Sequence, residues 1–93
     1  MFERILYRLR ELVRTSQYVM TLHAEVEMEA DELNVFDIER CILTGRIMER
    51  QKDRATGEWK YVIHGRTTEG GSAAVVAKLG PTGKAVVLTV FVL

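Results

Sequence analysis

The periodicity of the apolar residues changes at Gly45, and this change constrains the fold more than any other feature of the chain. Before Gly45, apolar side chains recur every three or four residues, as on the buried face of a helix. From Arg46 onwards they alternate with polar side chains, as in strands that bury one face. The sequence therefore predicts a helical N-terminal part followed by a β-sheet.

Three helices are predicted ahead of the sheet. A covering helix takes up residues 1–16, and two short helices lie within residues 23–45, the first of which opens at His23. Between the covering helix and His23, the β-prone segment Tyr18–Leu22 favours a short edge strand.

The last of these helices has clear signals at both ends. Asn34 and Asp37 have the spacing of a capping box, with aspartate in place of the usual glutamate. Gly45 is expected to end the helix in the left-handed conformation that glycine adopts without steric cost. Both ends of this helix can therefore be located from the sequence.

Four strands are predicted after Gly45, at residues 46–52, 59–67, 72–79 and 85–92. Turn-forming residues separate them, and the strongest turn signal is Gly80–Gly83, with proline second and glycine fourth as in a type I turn. The predicted fold class is α+β. In this prediction residues 1–93 form a single domain, in which N-terminal helices pack on a four-stranded antiparallel sheet.

The final strand does not alternate, because residues 85–93 are almost all apolar. A continuous apolar run indicates a strand that is covered on both faces. Helices can cover one face in a domain of this size. The other face needs a loop, a second subunit or a protein partner.

The charge of the chain is balanced overall but divided between its two parts. The formal net charge at pH 7 is zero, which excludes a uniformly basic surface for nucleic acid. Residues 1–40 contain five basic and nine acidic side chains, whereas residues 41–93 contain eight and four. This division favours a positive sheet face beside an acidic helical face, and ordinary scatter of surface charge explains it equally well.

The cysteine content and the apolar segments bear on location. The one cysteine, Cys41, excludes an intrachain disulfide and is expected to be a buried, unreactive thiol in a reducing compartment. Arginines interrupt the apolar residues of the N-terminus, so no signal peptide is predicted. No apolar run approaches the ~20 residues that span a bilayer. We therefore expect a cytoplasmic protein that does not insert into a membrane.

Several short motifs resemble the small prokaryotic family known as domain of unknown function 4258. The matching positions are His23-Ala24, Met28, the helix start at Leu33–Ile38, Gly45, the pair Tyr61 and Gly65, and Leu88–Phe91. The resemblance covers about residues 18–93 and leaves out the first helix. It implies a RelE-like and barnase-like ribonuclease fold, RNA cleavage without a metal, and an antitoxin as protein partner. The family has arginines where this chain has Glu27 and Asp31.

The candidate catalytic residues are two histidines and their neighbours. His23 could act as general acid or base on the ribose 2′-hydroxyl or the leaving oxygen, with Glu27 one helical turn later as its orienting group. His64 is the candidate second acid or base, and Arg66 would stabilise the charge that develops on the phosphate. The competing interpretations are that His23 caps its helix or packs in the core, and that His64 and Arg66 belong to a solvated polar face.

A basic ridge on the sheet is the candidate phosphate-binding surface. Strand alternation places Lys60 on the same face as His64 and Arg66, and Arg46 and Arg50 extend the basic patch. Trp59 and Tyr61 fall on the opposite face, where aromatic residues are more typical of core than of base stacking. His23 and Glu27 form one helical pair without a further ligand cluster, so no metal and no other cofactor are predicted.

Two functions remain open from the sequence. The first is a toxin-type domain of a toxin–antitoxin pair that cleaves or binds RNA. The second is a non-catalytic module, a degenerate family member that forms a homodimer or binds a protein through its apolar last strand. The acidic residues at positions 27 and 31 favour the second function, whereas the basic middle strand favours the first.

Overall fold

The computed structural model describes residues 1–93, which fold into three helices and one five-stranded sheet. In chain order the elements are α1 (Glu3–Arg14), β1 (Tyr18–Met20), α2 (Leu22–Ala30), α3 (Val35–Thr44), β2 (Arg46–Lys52), β3 (Trp59–Arg66), β4 (Ser72–Leu79) and β5 (Ala85–Val92). The strand order is β1-β5-β4-β3-β2. The predicted α+β class and the four strands after Gly45 are confirmed.

The prediction of a four-stranded antiparallel sheet is wrong, because β1 joins the sheet as a fifth strand. β1 pairs in parallel with β5, from Tyr18 opposite Ala85 to Met20 opposite Val87. All other neighbouring strands are antiparallel. The sheet is therefore mixed, and the β-prone segment after α1 is the edge strand that the sequence favoured.

The helices begin close to their predicted positions. The side chain of Thr21 caps α2 by accepting a hydrogen bond from the backbone N–H of Ala24, so α2 opens at Leu22, one residue before His23. The capping box of α3 is confirmed. Asn34 accepts from the backbone N–H groups of Phe36 and Asp37, and the Asp37 carboxylate accepts from the backbone N–H of Asn34.

Gly45 ends α3 for a different reason from the predicted one. Its φ of −90° and ψ of −173° describe extended backbone, not the left-handed conformation. A Cβ at Gly45 would overlap the backbone carbonyls of Cys41 and His64, and a Cβ at Gly65 would overlap the carbonyl of Cys41. Glycine at these two positions therefore lets the C-terminal turn of α3 lie directly against β3.

The core lies between the helices and one face of the sheet. Its fully buried side chains include Leu9 from α1, Ile38 and Ile42 from α3, and Val75 and Val90 from the sheet. We call the opposite face of the sheet the open face, because no helix packs on it. No helix in the structure has both the length and the apolar character needed to cross a bilayer.

A β-bulge accounts for part of the unbroken apolar run in β5. Thr89 pairs with Val76, and Val87 pairs with Ala77, which leaves Leu88 without an opposite residue. The inward-facing set therefore changes from Val90 on one side of the bulge to Val87 on the other, and both are fully buried. The prediction that both faces of β5 are covered is not met within one chain, since the open face has no covering element.

Candidate functional site

One row of paired residues crosses the open face near one end of the sheet, with one residue from each of the strands β2, β3, β4 and β5. Arg46 of β2 is opposite His64 of β3, His64 is opposite Ala74 of β4, and Ala74 is opposite Phe91 of β5. Paired residues point to the same face, with Cβ atoms about 5 Å apart. The row therefore places a guanidinium, an imidazole, a methyl group and an aromatic ring side by side.

A cleft of about 440 Å³ lies at the basic end of this row. Its lining residues are Thr44, Gly45, Arg46, His64, Gly65, Arg66, Ser72 and Leu93. The guanidinium groups of Arg46 and Arg66 give this cleft its positive charge. The hydroxyls of Thr44 and Ser72 and the imidazole of His64 add further hydrogen-bonding groups. Such a lining suits an anion with several oxygen atoms, of which a phosphate group is the commonest biological example.

The C-terminus of α3 forms one wall of the cleft. The hydroxyl of Thr44 accepts a hydrogen bond of 3.0 Å from the backbone N–H of Arg66, which fixes the helix end to β3. Arg10 of α1 donates to the carbonyl oxygens of Ile42 and Gly45, at 3.2 and 2.5 Å. Arg10 thus neutralises the partial negative charge at this helix end, close to where an anion would bind.

Lys60 and Arg66 share the open face with His64, as alternation along β3 predicted. Lys60 lies four residues from His64, about 13 Å along the strand, so it is outside the cleft. The guanidinium of Arg66 donates to the carbonyl of Gly70 at 3.1 Å and remains exposed. Of the predicted basic residues, Arg46 and Arg66 are therefore the two that line the cleft with His64.

Arg50 lies on the other face of the sheet. A bulge between Ile47 and Glu49 reverses the alternation of β2, and Arg50 is opposite Tyr61, which packs against the core. The guanidinium of Arg50 sits over the ring of Trp59, 3.9 Å from its centroid. Trp59 is 40% exposed, so the interpretation of this residue as core is wrong. Arg50 does not extend the patch around His64.

His23 and Glu27 lie on α2, at the free edge of β5. The His23 Nε2 is 3.3 Å from the Glu27 Oε1, so the predicted pair forms, and the imidazole is largely exposed. The same carboxylate accepts a hydrogen bond of 3.1 Å from the backbone N–H of Val90. One turn later, Asp31 accepts from the backbone N–H of Val92 at 3.2 Å. The two acidic residues therefore satisfy amides that the short strand β1 leaves unpaired.

The two histidines do not share a site. His64 is two interstrand spacings, about 10 Å, from β5, and Glu27 approaches β5 from the edge that faces away from β4. Strands β4 and β5 thus separate the two imidazoles, and neither His23 nor Glu27 lines the cleft. A single phosphate cannot contact both histidines, because direct proton transfer requires hydrogen-bond distances.

Cys41 is buried beneath the cleft and faces the core. Burial raises the pKa of its thiol to about 11, and the thiol donates a hydrogen bond to the carbonyl of Ala73 at 3.3 Å. The expectation of a buried, unreactive cysteine is confirmed, since the nucleophilic thiolate is disfavoured at neutral pH.

Three contributors to the cleft were not predicted from the sequence. Ser72 pairs with Arg66, and the length of the Thr68–Gly71 turn was a signal for this pairing. Thr44 reaches the cleft because two glycines allow close packing of α3, and Arg10 reaches α3 from a distant helix. No local pattern encodes these two contacts.

The structure contains no group of three or more His, Cys, Asp or Glu side chains placed to hold a metal ion.

Comparison with known proteins identifies the family of this chain. Residues 20–92 match the model of the domain of unknown function DUF4258. The match spans more than half of the chain, and we conclude that the chain belongs to this family. No curated protein and no solved structure matches the chain significantly.

Proposed function

We propose that this domain binds RNA through the cleft at the end of the sheet, with Arg46 and Arg66 on a phosphate group and His64 beside them. The observation that supports this proposal best is that two arginines and a histidine line one cleft together with Thr44 and Ser72. A guanidinium group donates two parallel hydrogen bonds to a pair of phosphate oxygens, and it keeps its charge at all physiological pH values. Lys60 lies along the same face and would contact a neighbouring phosphate.

Cleavage of the bound RNA is the second part of the proposal. Cleavage without a metal needs a base that takes the proton of the 2′-hydroxyl and an acid that protonates the leaving 5′-oxygen. The cleft holds one imidazole, so His64 would perform one of these transfers, a solvent water would perform the other, and the arginines would stabilise the charge on the phosphate. His23 and Glu27 have no part in this arrangement, because β4 and β5 separate them from the cleft. We expect cleavage to be slow, because the cleft supplies one imidazole for two proton transfers.

The wider setting of the proposal comes from the resemblance of the family to RelE-like and barnase-like toxins. On this view the domain has a RelE/barnase-like fold, acts in the cytoplasm and is held inactive by an antitoxin protein. The reduced, buried Cys41 fits that compartment.

RNA binding is measured by the fluorescence anisotropy of a labelled single-stranded RNA. The double variant Arg46→Ala/Arg66→Ala should bind at least about 10-fold more weakly, because each charge-assisted hydrogen bond contributes roughly 1.5–3 kcal/mol. The matched control is Arg4→Ala/Arg8→Ala, which removes the same charge from exposed positions of α1. The control should bind within about twofold of the wild type. Equal binding by the cleft variant and the wild type would contradict the proposal.

His64→Ala separates binding from cleavage. This variant should bind the same RNA within a few-fold of the wild type and should lose any cleavage that the wild type shows on a denaturing gel. Cleavage that survives in His64→Ala and is lost in His23→Ala would place the chemistry on α2 and would contradict our assignment.

A protein-binding module is the second candidate function, and the apolar centre of the open face favours it. Val62, Ala74 and Val76 point to this face without a helix above them, and Phe91 is 38% exposed. Neighbouring side chains leave Val62, Ala74 and Val76 no more than 8% exposed, so Phe91 supplies the exposed apolar surface, which often marks an interface. A monomer–dimer equilibrium, measured by analytical ultracentrifugation, together with no RNA affinity would favour this function over the first.

A further inference from the structure

We propose that Phe91 is a stacking platform for a base of the bound RNA, so that the substrate of this domain is single-stranded RNA. This inference rests on the proposed function of the cleft. It adds a binding site for the base of the nucleotide whose phosphate occupies the cleft. It follows from the row Arg46–His64–Ala74–Phe91, which connects the basic cleft to an aromatic ring on the same face.

The position of Phe91 suits a base whose phosphate occupies the cleft. His64 and Phe91 are separated by two interstrand spacings, about 10 Å, with only the side chain of Ala74 between them in the row. Ala74 is completely buried, so the side chains around it close over its methyl group. A nucleotide with its phosphate between Arg46 and Arg66 can therefore extend its sugar and base over the side chains that cover Ala74, towards the ring.

Phe91 lies at the end of β5, where Val92 and Leu93 are also exposed, and it is the one aromatic side chain of this end on the open face. It is 38% exposed on a strand whose neighbouring residue Val90 is fully buried, and the core packs on the other face of the sheet. An aromatic ring on an open sheet beside cationic side chains is the arrangement with which many single-strand-binding domains stack bases. The bases of an RNA duplex already stack on one another and would not be available to this ring.

The charges around the row favour RNA over an acidic protein as occupant. Arg46 and Arg66 lie at one end of the row and line the cleft, and Lys60 lies further along β3. These groups do not form the rim around the apolar surface that an acidic amphipathic helix would need. Lys78 could extend such a rim, but it is engaged with Glu58, whose carboxylate lies 3.0 Å from its Nζ. The concentration of charge at one point fits a backbone phosphate with a base beside it.

The test compares two probes, a labelled oligouridine and an abasic ribose-phosphate chain of the same length. Phe91→Leu keeps an apolar side chain but removes the ring, and should weaken oligouridine binding by about 5- to 100-fold, as expected for the loss of one base stack. It should leave binding of the abasic chain within about twofold. Phe91→Trp should bind oligouridine at least as tightly as the wild type. Phe36→Leu, at a 65% exposed position at the start of α3, is the control and should change neither affinity.

The outcomes separate this inference from the proposed function. If Phe91→Leu binds oligouridine like the wild type while Arg46→Ala/Arg66→Ala does not, the stacking role is wrong and the RNA-binding cleft stands. If the wild type binds neither probe, the proposed function is wrong and this inference fails with it. Equal loss of both probes in Phe91→Leu would also contradict the stacking role, as would tighter binding of an RNA duplex, measured as a third probe, than of oligouridine. Loss of a homodimer in Phe91→Leu with unchanged RNA affinity would assign the ring to a protein interface.

Discussion

At the scale of single residues, the carboxylate of Asp37 connects the start of α3 to the β3–β4 turn. It accepts hydrogen bonds from the backbone N–H of Asn34, and from the hydroxyl and the backbone N–H of Thr68, at distances between 2.7 and 2.9 Å. These hydrogen bonds lower the pKa of Asp37, and burial opposes them only in part. The residue that completes the capping box thus also fixes the turn that leads from Arg66 to Ser72.

Asp37→Ala should lower the free energy of unfolding by about 2–4 kcal/mol at pH 7, because three hydrogen bonds to a buried carboxylate are lost. A native pKa below the unfolded value means that the unfolded state binds more protons in the acidic range. The stabilisation is therefore fully present above the ordinary aspartate pKa of about 4 and disappears as the pH falls through the lower native value. Urea unfolding of the wild type and of Asp37→Ala, between neutral and acidic pH, measures how the difference between their free energies of unfolding shrinks. A constant difference at all pH values would contradict it.

At the scale of secondary-structure elements, periodicity predicted most of the fold, and the errors came from a β-bulge and from a long-range strand pairing. The strand bounds after Gly45 and the cap of α3 follow from local patterns that the structure retains. Arg50 was assigned to the wrong face because simple alternation ignores the bulge between Ile47 and Glu49. The parallel pairing of β1 with β5 depends on residues 67 positions apart, Tyr18 and Ala85, and no local signal in the sequence specifies it.

Only the part of the site that lies on β2 and β3 was predicted. Arg66 and His64 share a strand and a face, which alternation reveals, and Arg46 joins them through a pairing close to the β2 terminus. His23 was grouped with them because chemistry alone suggested a shared cleft. The position of α2 at the free edge of β5 depends on tertiary packing, which the sequence pattern did not contain.

Close packing of α3 on β3 predicts that Gly65→Ala is strongly destabilising. A Cβ at this position would overlap the backbone carbonyl of Cys41, which cannot move without shifting the helix. We expect a loss of about 3 kcal/mol or more, which corresponds to a fall in Tm of roughly 12 °C or more for a domain of this size. Gly71→Ala is the control, because the nearest atom is the side-chain hydroxyl of Thr67 at 3.2 Å. Similar melting temperatures for the two variants would show that α3 does not depend on this close approach.

The carboxylates of α2 should protect the free edge of β5. In Glu27→Ala/Asp31→Ala the backbone N–H groups of Val90 and Val92 lose their acceptors, and we expect about 1–3 kcal/mol of destabilisation. The rate of amide hydrogen exchange should increase more at these two residues than at the other residues of β5. Glu25→Ala/Glu29→Ala removes the same charge from exposed positions of α2 and should leave both exchange rates unchanged. Equal exchange in the two double variants would mean that the carboxylates do not cap the edge.

At the scale of the whole molecule, a net charge of zero conceals two unlike surfaces. The acidic residues of α2 and the following turn are mostly exposed at one side of the sheet, whereas the two cleft arginines and Lys60 lie on the open face. RNA should be repelled by the first surface and attracted to the second, and the separation makes the direction of approach predictable. A chain without excess positive charge can therefore still bind a polyanion at one defined place.

The central claim is that RNA contacts the open face at the cleft, and amide chemical shifts measured during a titration with short single-stranded RNA test it most directly. We predict that the largest shifts fall on residues 44–46, 64–66, 72–74 and 91, and that residues 22–31 of α2 and the turn after it remain unperturbed. Increasing the salt concentration should make these shifts smaller at the same residues, because the phosphate contacts weaken while their position stays fixed. Shifts concentrated on α2, or no shifts at RNA concentrations well above that of the protein, would contradict the account.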